Sequence, residues 1–176
     1  MQYRDKRPSY GMKTKKLSLA AILAALAMIF SYIEVLIPIP VPIPGVKLGL
    51  ANLVIIIAIY RLGFKYAFTI NCVRILVAGM LFSGVFGMIY SFAGGILSIV
   101  VMYILYRSNK FSILGISMAG GVFHNLGQLI IACIVMSNIR LMSYFAVLLF
   151  SGMISGILIG IAAFYIERKL PHLKVE

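Results

Sequence analysis

Long apolar runs separated by short polar breaks dominate the chain. Six stand out, at residues 17–37, 48–62, 66–82, 87–106, 113–136 and 143–166. A helix needs roughly 20 apolar residues to cross a bilayer, with a range of about 17–25. The pattern therefore predicts an all-α membrane protein with six transmembrane helices. Most breaks are brief and polar, such as RLGFK at 61–65 and YRSNK at 106–110. One is different. PIPVPIP at 38–44 alternates proline with Ile or Val. Proline lacks an N–H and pushes the residue before it toward extended conformations. Such a segment favours polyproline II at about 3.1 Å per residue, or ~22 Å over this stretch.

Composition narrows the class further. The chain has 176 residues, 62% of them apolar, against about 45–50% in soluble domains. Six helices with short loops leave no room for a soluble domain. The net charge of +12 would suit nucleic acid, but its distribution does not. Six Lys/Arg lie in 1–16, and Arg61, Lys65, Arg107, Lys110, Arg168, Lys169 and Lys174 fall at the same side of the predicted bundle. That side thus carries 13 of the 16, and the opposite loops carry Lys47 and Arg140. An excess of Lys/Arg marks cytoplasmic loops, so both termini are expected inside and the proline segment outside. Residues 1–16 then form a basic cytoplasmic tail, 17–168 the transmembrane domain with an external loop at 38–47, and 169–176 a second cytoplasmic tail. The N-terminus shows no cleavable signal pattern. Met12, in MKTKK, would be a natural start, with 1–11 either native or an added leader.

Polar residues inside the runs are the candidate chemistry, because charge at bilayer depth is costly and usually functional. Arg74 lies within the third span, with Asn71 one turn before it. GGVFHNLGQ in the fifth places Gly121, His124, Asn125 and Gln128 at i, i+3, i+4 and i+7, one helical face,. Glu34 closes the first span, and Lys47 and Asn52 open the second. With odd spans running outward, these residues gather in the outer half of the bundle, and little polar continues inward. The pattern suggests a cup open to the outside, lined by Glu34, Lys47, Asn52, Asn71, Arg74, His124, Asn125 and Gln128. Cationic groups outnumber the one acid, which favours an anionic or phosphate-bearing ligand. Plainer readings stand beside this. Arg74 could staple two helices through Glu34, His124 could be a satisfied core side chain, and Asn52 could stabilise a helix start. The proline segment reads as a semi-rigid lid over the cup or as a stiff interfacial spacer.

Small residues mark close helix packing in lipid. Gly152, Gly156 and Gly160 repeat every four residues, Ser91, Gly94, Gly95 and Ser98 share one face, and Ala20/Ala24 and Ala21/Ala25 repeat on the first span. The first two sets suit packing within the chain. The alanines suit either packing or docking of another membrane protein. The chain has no GxxxxGK[ST] loop for ATP. Its one aspartate, Asp5, cannot supply the aspartate-rich motifs that hold magnesium in prenyl-diphosphate chemistry,. Cys72 and Cys133 form no CxxC. No catalytic residue, metal or cofactor is expected.

PGVKLGLAN (44–52), the Arg74 span, SFAGGILS (91–98) and HNLGQ (124–128) together resemble the Gx transporter family over about residues 14–168. Its members are often labelled component I of heptaprenyl diphosphate synthase. The family is similar to the substrate-binding S components of energy-coupling factor (ECF) transporters. That resemblance implies a six-helix bundle in the bacterial cytoplasmic membrane that captures a small ligand outside. It also implies a membrane T protein and separate ATPase subunits as partners, docked through AxxxA on the first helix, here Ala20, Ala21, Ala24 and Ala25. Associations with isoprenoid, quinone and flavin-linked systems suggest ligand candidates. They also suggest the alternative, a non-catalytic membrane partner of a prenyl diphosphate synthase or a redox assembly. A self-sufficient secondary transporter is the weaker third reading, since no inward polar path or inverted repeat is evident.

Overall fold

The computed structural model describes residues 10–37 and 49–170. Lys47 and the proline segment 38–44 lie outside the described residues, so the expected lid does too. Among the described residues every regular element is helical: α1 (Tyr10–Leu36), α2 (Leu50–Leu62), α3 (Phe64–Ala78), α4 (Gly84–Ser108), α5 (Ile113–Val135) and α6 (Phe145–Lys169). A π-helical turn, Gly79–Ser83, joins α3 to α4, and a 3₁₀ segment, Ile139–Tyr144, leads into α6. Four continuous helical stretches are long and apolar enough to cross a membrane: Lys13–Leu36, Phe64–Ser108, Ile113–Val135 and Ile139–Lys169.

The sequence separates a third span (66–82) from a fourth (87–106), but the helical backbone runs through 64–108 without a gap. At 1.5 Å per residue a straight helix of that length would reach about 68 Å, over twice the hydrocarbon thickness. It is not straight. Gly84 adopts φ 66°, ψ 179°, a region that is essentially glycine-only, and there the chain reverses. A Cβ on Gly79 would fall 2.7 Å from the Met88 Cβ, and one on Gly95 would fall 2.8 Å from the Ile75 Cδ1. Contacts between residues so far apart in one helix require α4 to fold back along α3. Gly63, at φ 83°, ψ 176°, makes the matching reversal between α2 and α3 with no further linker.

α2 is the hub. Its 13 residues span only about 20 Å, less than the ~30 Å hydrocarbon core. The segment Ala51–Ile59 is buried throughout. A helix that is apolar all round belongs inside, and α2 touches each of the other α-helices. Around it, α1 packs on α2 and α3, and α5 sits between α4 and α6.

The α5–α6 contact is made by backbone. Cβ atoms on Gly156 and Gly160 would come within 2.6 Å of the Met118 Cα and 2.9 Å of the Leu114 Cα, and one on Gly121 would overlap the Gly152 carbonyl. The glycine repeat on α6 therefore packs within this chain. Gly156→Ala is expected to destabilise the bundle by about 1–3 kcal/mol through overpacking. Gly115→Ala, whose new Cβ would meet nothing nearer than 3.7 Å, should be neutral or slightly stabilising. Thermal unfolding of both variants in detergent checks the contrast. Equal stabilities would mean that α5 and α6 are not in backbone contact.

Candidate functional site

Arg74 points inward from α3 and is 6% exposed. Its Nη2 donates to the Asn71 Oδ1 at 2.7 Å, and its Nη1 reaches the Ser31 Oγ at a long 3.4 Å. The Ser31 hydroxyl donates to the Ala27 carbonyl at 2.9 Å, which holds that oxygen toward α3. Asn71 and Arg74 are three residues apart, one turn, which lets the amide of one meet the guanidinium of the other. The Arg74 Nε has no hydrogen-bond partner among the described residues. Glu34 is near enough to act on Arg74 electrostatically. Its carboxylate Oε1 also accepts the Leu50 N–H at 2.6 Å. Glu34 thus caps α2 from α1, at the helix end where a negative charge is favoured.

On α5, His124, Asn125 and Gln128 are all buried, but they do not share one destination. The His124 Nε2 and Gln128 Nε2 lie 3.2 Å apart, and both side chains face Gly94 of α4. Asn125 turns the other way and donates from Nδ2 to the Leu148 carbonyl of α6 at 2.8 Å. The single polar face expected on α5 is therefore split. His124 and Gln128 meet α4, whereas Asn125 ties α5 to α6. The physical reason is that α5 is packed on two sides, so neighbouring positions on one broad face serve different helices.

Two polar pairs thus flank consecutive residues of α4. Gly94 receives His124 and Gln128, with a Cβ there falling 3.2 Å from the His124 Nε2. Gly95 receives Asn71, with a Cβ there falling 3.0 Å from the Asn71 Nδ2. Ser98, one turn on, donates to the Gly120 carbonyl at 2.8 Å and fixes α4 to α5. Asn52 is buried at the start of α2, and its N–H donates to the Gly49 carbonyl at 2.8 Å. Lys47 lies outside the described residues.

The alanines of α1 divide as well. Ala20 is buried and Ala24 packs against the core, whereas Ala21 and Ala25 are exposed. Ala20 and Ala24 thus serve the core of the bundle, and Ala21 and Ala25 face outward. Among the described residues no three His, Cys, Asp or Glu side chains form a metal cluster.

Sequence reasoning missed the clasp at the far end. In the sequence Arg61 reads as a loop charge. Its Nε meets the Glu167 carboxylate at 2.8 and 2.9 Å, and its Nη2 donates to the carbonyls of Glu167 and Leu170 at 2.9 and 3.1 Å. The signal was available: Glu167 is one of only four acids and stands amid basic residues.

The profile of the family described as heptaprenyl diphosphate synthase component I matches residues 23–166. The chain belongs to that family. No curated relative matches it. Among solved structures, one described as the S component of a bacterial ECF transporter is similar, with a TM-score of 0.65 at 21% identity, covering 89% of this chain and 95% of the other. The chain therefore shares the fold of that S component.

The α5–α6 bond offers a direct check on which polar residues are structural. Asn125→Ala should lower stability by roughly 0.5–1.5 kcal/mol and leave the His124–Gln128 contact with α4 intact. Unfolding curves together with histidine ring NMR signals would read both. A shifted His124 signal with unchanged stability would contradict the split.

Proposed function

We propose that this family member is a membrane subunit that captures a small ligand from the external side and has no catalysis of its own. The observation that carries the reading is Arg74: a buried guanidinium that has, among the described residues, one short neutral partner and no partner at Nε, beside two further polar residues on α4's other flank. The S-component-like fold supports the reading, since the similar structure belongs to a transporter's S component. In the proposed site Arg74 anchors an anionic group, and Asn71, His124 and Gln128 supply directional bonds. Asn52 and Glu34 shape its outer edge. Asn125 supports α5 from behind. Small anions and isoprenoid-, quinone- or flavin-related molecules are the candidate classes.

A T protein with ATPase subunits would provide the driving force, docking on α1 through Ala21 and Ala25. The family's description favours a second reading, a non-catalytic partner of a prenyl diphosphate synthase. Purification from native membranes separates the two. A small molecule released on denaturation supports capture, whereas a co-purifying synthase and no ligand supports the second.

Replacing Arg74 tests the anchor. A charge-assisted hydrogen bond contributes about 1.5–3 kcal/mol, and about 1.4 kcal/mol is tenfold in affinity. Arg74→Gln should therefore retain about tenfold less of the co-purified anion while the protein still folds. Undiminished retention would remove Arg74 from the site.

The proposed topology places six crossings in the bacterial cytoplasmic membrane, with both tails, 1–16 and 169–176, inside and 38–47 outside. It rests on the 13-to-2 distribution of Lys/Arg between the two sides,. In intact cells an impermeant thiol reagent should label Val41→Cys and spare Ser108→Cys. The reverse pattern would invert the bundle.

A further inference from the structure

A second site lies away from the polar pairs. An apolar groove of about 420 Å³ runs between α1, α2 and α6, lined by Leu19, Ile22, Leu26, Ile57 and Ile166, with Arg61 at one end. That volume falls within the roughly 300–1,000 Å³ of small-molecule sites. Its floor is rigid, with Leu23, Leu53, Val54 and Ile57 all buried, and its rim is open, with Ile22 64% exposed. Arg61 is already committed to Glu167 and two carbonyls, so it closes the groove without offering a free charge.

At that end Arg168 stacks over the Phe164 ring, and the other charges are lysines. Lys15 precedes Leu19 by one turn, on the face that continues to Ile22 and Leu26,. Lys16 is its neighbour. Lys169 follows Ile166 by three residues on α6 and is exposed. The groove is thus cationic at one end and aliphatic along its length. An amphiphile with one anionic head and one apolar chain fits both ends.

We infer that the α1–α2–α6 groove binds an anionic phospholipid, its chain along Leu19, Leu26 and Ile57 and its phosphate at Lys15, Lys16 and Lys169. In the topology proposed above this is the cytoplasmic leaflet, where anionic lipids draw juxtamembrane lysines. The lipid site does not depend on what Arg74 binds.

The full chain is reconstituted in nanodiscs of equal phosphatidylglycerol and phosphatidylcholine. It is then stripped stepwise with non-ionic detergent and weighed intact by native mass spectrometry. One phosphatidylglycerol per chain should survive stripping, favoured over phosphatidylcholine by about tenfold. Lys15→Gln, Lys16→Gln and Lys169→Gln together should abolish the preference, at exposed or half-exposed positions that leave the core alone. Ile22→Trp, which fills the groove from its open rim, should abolish retention of either lipid. Equal retention of the two lipids, or retention unchanged by Ile22→Trp, overturns the inference. Displacement of phosphatidylglycerol by equimolar farnesyl diphosphate also overturns it and assigns the groove to a prenyl diphosphate. Loss of the Arg74 ligand with the lipid preference intact would refute the capture reading alone.

Discussion

Backbone-to-backbone contact at glycine is the constraint on which this bundle depends. Apolar side chains gain little by leaving lipid for protein, so helices in a membrane associate through close van der Waals packing and interhelical hydrogen bonds. Gly121, Gly152, Gly156 and Gly160 bring α5 and α6 together, and Gly94 and Gly127 do the same for α4 and α5. The same closeness creates the polar neighbourhood. With no side chain at Gly94 or Gly95, the space beside α4 is taken by His124 and Gln128 on one flank and Asn71 on the other. The packing motif and the candidate site are one construction.

Arg74 makes that construction more than a scaffold. Burying an ion carries a penalty of several kcal/mol even after relaxation, and the short bond to Asn71 returns about 1.5–3 kcal/mol. Glu34 contributes a field, but its carboxylate also caps α2. A residue serving only as a staple would have its donors used, yet among the described residues the Nε meets no acceptor. Stability alone is therefore a poor account of why a guanidinium sits there.

Much of this was legible in the sequence. The apolar runs gave the helices, the small-residue repeats gave the packing faces, and Arg74, Asn71, His124 and Gln128 were singled out by polarity at depth. Three things were not legible. The break between 82 and 87 was legible and holds the reversal at Gly84, but that the turn is made within helical backbone, through a π turn, was not. The departure of Asn125 from its neighbours depends on which helices lie on either side of α5, which spacing along one helix cannot tell. The Arg61–Glu167 clasp joins residues 106 positions apart, and charge counting for topology assigns each cation to water by default. The division among the α1 alanines has the same origin: two overlapping repeats look alike until the core chooses one.

That clasp has a consequence for biogenesis. Ribosomes elongate at about 5–20 residues per second, so Glu167 emerges some 5 to 20 s after Arg61, given their separation. Throughout that interval α2, too short to cross a bilayer unaided, lacks its ion partner, and the α6 surface that completes its enclosure arrives last. The centre of the bundle is made early and housed late. The apolar 13-residue segment at the centre of the bundle therefore waits on the C-terminal helix, the last to be made, for its full set of contacts.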